Sequence, residues 1–166
     1  KPAVPPVSIP ALFGEQAERA PDAVALSFQG RGLTYREVDE AANRLAHLLF
    51  DGGVGPGDVV ALLVERSARA VVAMLAVLKT GAAYLPIDPA LPDARVELML
   101  ADAAPVAVLT TAGLADRLAG LDLAVIDVAD PRIDGCPHTA LPCPAPEDVA
   151  YLIYTSGSTG VPKAVA

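Results

Sequence analysis

Residues 58–88 read DVVALLVERSARAVVAMLAVLKTGAAYLPID. The opening run, Asp58 to Val64, is apolar and rich in valine, which reads as a strand. Ser67 then stands where a hydroxyl can cap a helix. That helix is expected to run to about Lys79, with Val71, Met74, Leu75 and Leu78 on its inner face. Gly81 ends it, and Ala82 to Leu85 forms the next strand. Strand, helix and strand in so short a span suit a unit of a parallel sheet.

The alternation continues in both directions. Upstream, Ile9 to Ala20 suits a short helix with Ala11, Leu12, Phe13 and Ala17 as its apolar positions, and Pro21-Asp22 stops it. Ala23 to Phe28 reads as a strand and Gln29 to Gly32 as a hairpin-type turn. Thr34 and Glu37 have capping-box spacing, so a helix should begin at Tyr35 and stop at Gly52. Its core face is Val38, Ala41, Ala42, Leu45, Leu48 and Leu49. Downstream, Asp93 to Ala103 is a helix with Val96, Met99 and Leu100 inward. Val106 to Thr110 is a strand, Gly113 to Ala119 a weak helix, and Leu123 to Val128 a strand. The pattern predicts an α/β fold, a mostly parallel sheet layered with helices. Residues 1–8 are Pro-rich and read as a linker, with 9–166 as one domain.

A second kind of stretch lies at 151–163, YLIYTSGSTGVPK. Val149 to Tyr154 reads as a buried strand, and the Ser, Thr and Gly residues after it should break the strand. Such a run leaves backbone N–H groups free to form an anion nest. The hydroxyls of Thr155, Ser156, Ser158 and Thr159 add donors, Gly157 and Gly160 allow close approach, and Lys163 adds a charge. The expected guest is a polyphosphate. The order of residues is not that of a Walker loop, because Pro162 separates Gly160 from Lys163 and Ala164-Val165-Ala166 looks extended. The loop should therefore join two strands, without a helix dipole. Parallel sheets hold ligands outside the carboxyl ends of their strands, and the loop is expected to emerge there.

Composition excludes several classes. The chain has 166 residues, 53% of them hydrophobic, with a net charge of −8. Mean hydropathy is +0.44. The acidic balance argues against nucleic acid or an anionic membrane as partner. No apolar run is long enough to span a bilayer, and the N-terminus lacks the apolar core of a signal peptide. Cys136 and Cys143 do not make a disulfide framework, which fits a reducing cytoplasm. With His138 they invite a zinc reading, but four ligands and a tight cysteine pair are lacking, so no metal site is expected. His47 has no obvious partner. Tyr84 and Asp88 are read as structural rather than as site residues.

Three strings occur in order, LTYREV at 33–38, LKTGAAYLPID at 78–88 and YTSGSTGVPK at 154–163. Together they resemble core motifs of the adenylate-forming (AMP-binding) enzymes, and most of all the adenylation domains of nonribosomal peptide synthetases. One departure is Ala164, where the family usually has glycine. The Pro-rich opening resembles the linker after a condensation domain. The resemblance implies that an amino acid and Mg2+-ATP give an aminoacyl adenylate and pyrophosphate. The acyl group would then load onto the phosphopantetheine of a carrier domain, in the biosynthesis of peptides such as antibiotics. It implies ATP-phosphate binding by Thr155, Ser156, Gly157, Ser158, Thr159, Gly160 and Lys163. It implies carrier-protein and condensation domains as partners, and admits a small accessory protein. In the family the amino-acid pocket, the magnesium carboxylate and the catalytic lysine come later in the chain. No catalytic residue is therefore assigned within 1–166, and the chain reads as the N-terminal portion of the enzyme, expected to be inactive alone. An acyl-CoA or aryl-acid ligase of the same superfamily, and a non-catalytic truncated or docking module, stay open as alternatives.

Overall fold

A computed structural model describes residues 8–142, together with strands at 153–156 and 162–165. The chain opens with α1 (Ile9–Arg19), capped by the Ser8 hydroxyl, which accepts from Ala11 N. Ser8, the last residue of the expected linker, is thus part of the helix start. Next comes a hairpin of β1 (Val24–Phe28) and β2 (Arg31–Thr34). Gln29 and Gly30 both have positive φ, 51° and 77°, as a two-residue turn matched to strand twist requires. The arrangement continues with α2 (Tyr35–Asp51), β3 (Val59–Leu63), α3 (Ala68–Lys79), β4 (Ala83–Ile87), α4 (Asp93–Ala103), β5 (Ala107–Thr110) and β6 (Val125–Asp127). Short 3-10 turns cover Ala115–Leu118 and Pro131–Gly135.

The four strands β4-β3-β5-β6 form one wholly parallel sheet. Alternation along β3 decides what each face meets. Val60 and Leu62 join the core with Leu45 and Leu49 of α2 and Ala73 and Val77 of α3. Ala61 and Leu63 join Val96, Met99 and Leu100 of α4 on the other side. The result is three layers, with α2 and α3 on one face and α4 on the other. Both faces are covered, which is why the strands read as unbroken apolar runs.

Local rules set most boundaries. The capping box predicted at α2 is present in full. Thr34 Oγ1 accepts from Glu37 N at 3.1 Å, and Glu37 Oε1 accepts from Thr34 N at 3.2 Å. Thr34→Ala should cost the domain about 1 kcal/mol, read as a lower denaturation midpoint at unchanged slope. An unchanged midpoint would mean that the box adds nothing. Ser67 caps α3 as expected, accepting from Ala70 N. Gly81, at φ 86°, turns the chain from α3 into β4.

Several expectations need correction. Leu12 is 52% exposed, since α1 buries only Pro10 and Ala17. Phe13 instead packs on Tyr35, with ring centroids 5.4 Å apart. In α3 Leu75 and Leu78 are buried as expected, together with Ala70, Ala73, Ala76 and Val77, while Val71 and Met74 are only half-buried. The weak helix at 113–119 is a 3-10 turn, and the loop from 129 contains another.

Candidate functional site

The expected phosphate loop is framed by β7 (Ile153–Ser156) and β8 (Pro162–Val165), paired antiparallel. Thr155 lies opposite Lys163 in the register, and Ser156 opposite Pro162. The loop therefore joins two strands, as the sequence suggested. Gly157, Ser158, Thr159 and Gly160 lie outside the described residues, as do 143–152. Two readings change. Thr155 and Ser156 belong to the strand, which cross-strand pairing sustains past the apolar run. The two strands also form their own sheet, separate from the parallel one. A short connection can join only antiparallel neighbours, whereas parallel pairing needs a long crossover.

In the parallel sheet the direction of winding changes between β3 and β5, the place where open α/β sheets hold ligands. Here Thr110 closes that position. It is wholly buried, and its hydroxyl donates to Leu63 O at 2.7 Å, tying the two strand ends together. Beside it, a cleft of about 400 Å3 opens between the ends of β3 and β4 and the start of α3. Val71, Met74 and Asp88 line it. Asp88 makes a local turn, its Oδ1 accepting from Ala90 N at 2.9 Å. Tyr84 is half-buried against the α2–α3 side of the core.

A polar clamp that sequence reasoning missed runs along α2. Asn43 Nδ2 donates to His138 O at 2.8 Å. Arg44 Nη1 donates to Asp134 O at 3.1 Å and to Cys136 O at 2.9 Å. His47, expected to lack a partner, donates from Nε2 to Thr139 O at 2.8 Å. These bonds strap residues 134–139 to the helix, on the path from β6 towards β7. At the base, Lys79 Nζ meets Asp39 Oδ1 at 2.8 Å, with Lys79 only 7% exposed. No sequence signal marks these groups, because backbone carbonyls far along the chain supply most of the partners.

Arg117 holds the far edge. Its Nε donates to Asp93 Oδ1 at 2.7 Å and its Nη2 to Leu91 O at 2.6 Å, fixing the loop between β4 and α4. Arg132 pairs with Asp130, and the guanidinium's hydrogen bond holds the Asp130 carboxyl below its ordinary range. Cys136 Sγ donates weakly to Arg132 O at 3.4 Å, and Cys143 lies outside the described residues. Among the described residues no cluster of His, Cys, Asp and Glu could hold a metal ion, and no helix is long and apolar enough to cross a membrane.

The chain is similar to known proteins in sequence and in fold. A family model described as AMP-binding enzyme matches residues 13–166. Isonitrile lipopeptide synthase of Mycobacterium tuberculosis (strain ATCC 25618 / H37Rv) is 59% identical over 164 residues, which are 99% of this chain and 6% of that protein. Tyrocidine synthase 2 of Brevibacillus parabrevis is 46% identical over 159 residues, 95% of this chain and 4% of that protein. The chain thus spans a small fraction of the curated relatives it matches. Among solved structures, the nonribosomal peptide synthetase FmoA3 in its α-methyl-L-serine-AMP-bound form superposes with a TM-score of 0.90 at 36% identity, covering 99% of this chain and 18% of that one.

Proposed function

The chain belongs to the AMP-binding enzyme family, as the N-terminal part of a nonribosomal peptide synthetase adenylation domain, and on that premise we propose that it serves amino-acid activation by holding the phosphates of ATP. The reaction joins an amino-acid carboxylate to the α-phosphorus of Mg2+-ATP and expels pyrophosphate. The acyl group then passes to a phosphopantetheine thiol on a carrier domain of the same assembly. Carrier and condensation domains are the proposed partners, and the cytoplasm is the proposed compartment. The observation that carries this reading is the likeness, over nearly the whole chain, to a synthetase solved with an aminoacyl-AMP.

The chain's own share is phosphate binding. Thr155, Ser156, Gly157, Ser158, Thr159, Gly160 and Lys163 would supply hydroxyl and backbone N–H donors and one cation. Such groups act by positioning and by neutralising charge as pyrophosphate departs. The donor set suits phosphate oxygens, being rich in N–H and O–H groups and free of carboxylates from 149 to 166. None of its residues is assigned to magnesium.

The test is amino-acid-dependent exchange of labelled pyrophosphate into ATP by the whole protein that carries this chain, with residues 1–166 alone as an inactive control. Exchange with one or a few amino acids is expected. Exchange only with aryl or fatty acids would point to an acyl-CoA or aryl-acid ligase. Exchange with none of these acids would point to a non-catalytic module.

A further inference from the structure

We propose that the groove between the β1–β2 hairpin and the start of α3 is a docking surface for an acidic segment of a partner polypeptide. The chain is acidic overall, at −8, yet the charge reverses around this groove. Arg31 from β2 and Arg69 from the first turn of α3 line a groove of about 490 Å3 with Phe28, Gln29 and Leu33. Among the described residues no carboxylate lines it. Arg66 stands beside it, one residue before the Ser67 cap.

Some arginines are taken up by carboxylates, while Arg19 on α1 and Arg95 on α4 are, like those at the groove, without an ion pair among the described residues. Arg36 pairs with Asp22, Arg117 with Asp93 and Arg132 with Asp130. Among the described residues Arg31, Arg66 and Arg69 have no such partner, and all three are exposed. The neighbouring carboxylates are Glu65, next to Arg66 in sequence, and Asp130 and Asp134. The latter two line an adjoining cleft that shares Arg69. Asp130 is already occupied by Arg132.

The composition selects the class of partner. A guanidinium fork matches a carboxylate with two parallel hydrogen bonds. Phe28 is 37% exposed at the end of β1 and offers an apolar anchor in the same groove. Arginine and aromatic residues together, with charged residues of the other sign absent, mark the centres of protein interfaces. A single small anion would leave Phe28 and Leu33 uncovered. A long nucleic acid would meet the repulsion of the acidic remainder.

The probe is a fluorescein-labelled deca-glutamate peptide, followed by anisotropy with the whole protein that carries this chain. Saturable binding is expected, weakening about tenfold between 50 and 300 mM salt as screening grows. Arg31→Glu with Arg69→Glu should weaken it by at least about tenfold. Because both side chains are exposed, the thermal midpoint should stay unchanged. Phe28→Ala should weaken binding severalfold and leave the salt dependence as it is. Absence of binding, or equal binding by the double variant, would overturn the proposal. Displacement of the peptide by inorganic pyrophosphate at the concentration of the peptide itself would also overturn it, by showing a small-anion site.

Discussion

Asp39→Ala should destabilise the domain by about 3 kcal/mol, a large fraction of the stability of an ordinary single domain. Asp39 lies on α2 and Lys79 is the last residue of α3. Their contact at 2.8 Å ties together the two helices on one face of the sheet. Lys79 is 7% exposed, so removing the carboxylate strands an ammonium in a poorly solvated place. A buried charge without its partner costs far more than the intact pair contributes. Asp39 keeps 21% of its own exposure, which sets the estimate at the lower end of the range for such pairs. The double change Asp39→Ala with Lys79→Met should recover most of the loss, because no charge is then left behind. A double-mutant cycle in guanidinium chloride measures both effects. If Asp39→Ala costs no more than a surface substitution, or Lys79→Met fails to rescue it, the pair is not buried as described.

Lys79 also marks where sequence reasoning stopped. A lysine before Thr80-Gly81 looks like a solvated helix end, favoured there by the helix dipole. Its burial depends on the approach of α2, which no local pattern contains. The local patterns themselves were reliable. The capping box at Thr34 and Glu37, the Ser67 cap and the bounds of α4 at Asp93 and Ala103 each follow from neighbouring residues. Helix faces were less legible where alanine is abundant. In α3, Val71 and Met74 are only half-buried, whereas Leu75 and Leu78 are buried as expected, beside Ala70, Ala73 and Ala76.

The candidate site divides in the same way. Hydroxyls, glycines and a lysine in a short run advertise phosphate chemistry because those residue types are needed for it. The strand–loop–strand frame was legible from Pro162 and the extended residues after Lys163. Its membership of a separate sheet was not, because pairing partners are a tertiary choice. The clamp by Asn43, Arg44 and His47 was invisible for a similar reason. Each side chain meets a carbonyl at least 90 residues away, and a carbonyl carries no sequence signature.

The second large effect concerns Lys163. It stands opposite Thr155 in the hairpin, next to the rung that closes on the loop. We propose that its ammonium contacts the departing phosphates of ATP. A hydrogen bond to a charged group is worth about 1.5–3 kcal/mol. An interaction of that size, strengthened as pyrophosphate leaves, corresponds to a slowing of about ten- to a hundredfold. Lys163→Ala should therefore depress exchange while the thermal midpoint stays near that of the parent. The most direct measurement is the rate of amino-acid-dependent ATP–pyrophosphate exchange by the whole protein, compared between the parent and Lys163→Ala. A fall of about one to two decades is predicted. Equal rates would contradict the assignment of the 155–163 hairpin as the phosphate-holding element.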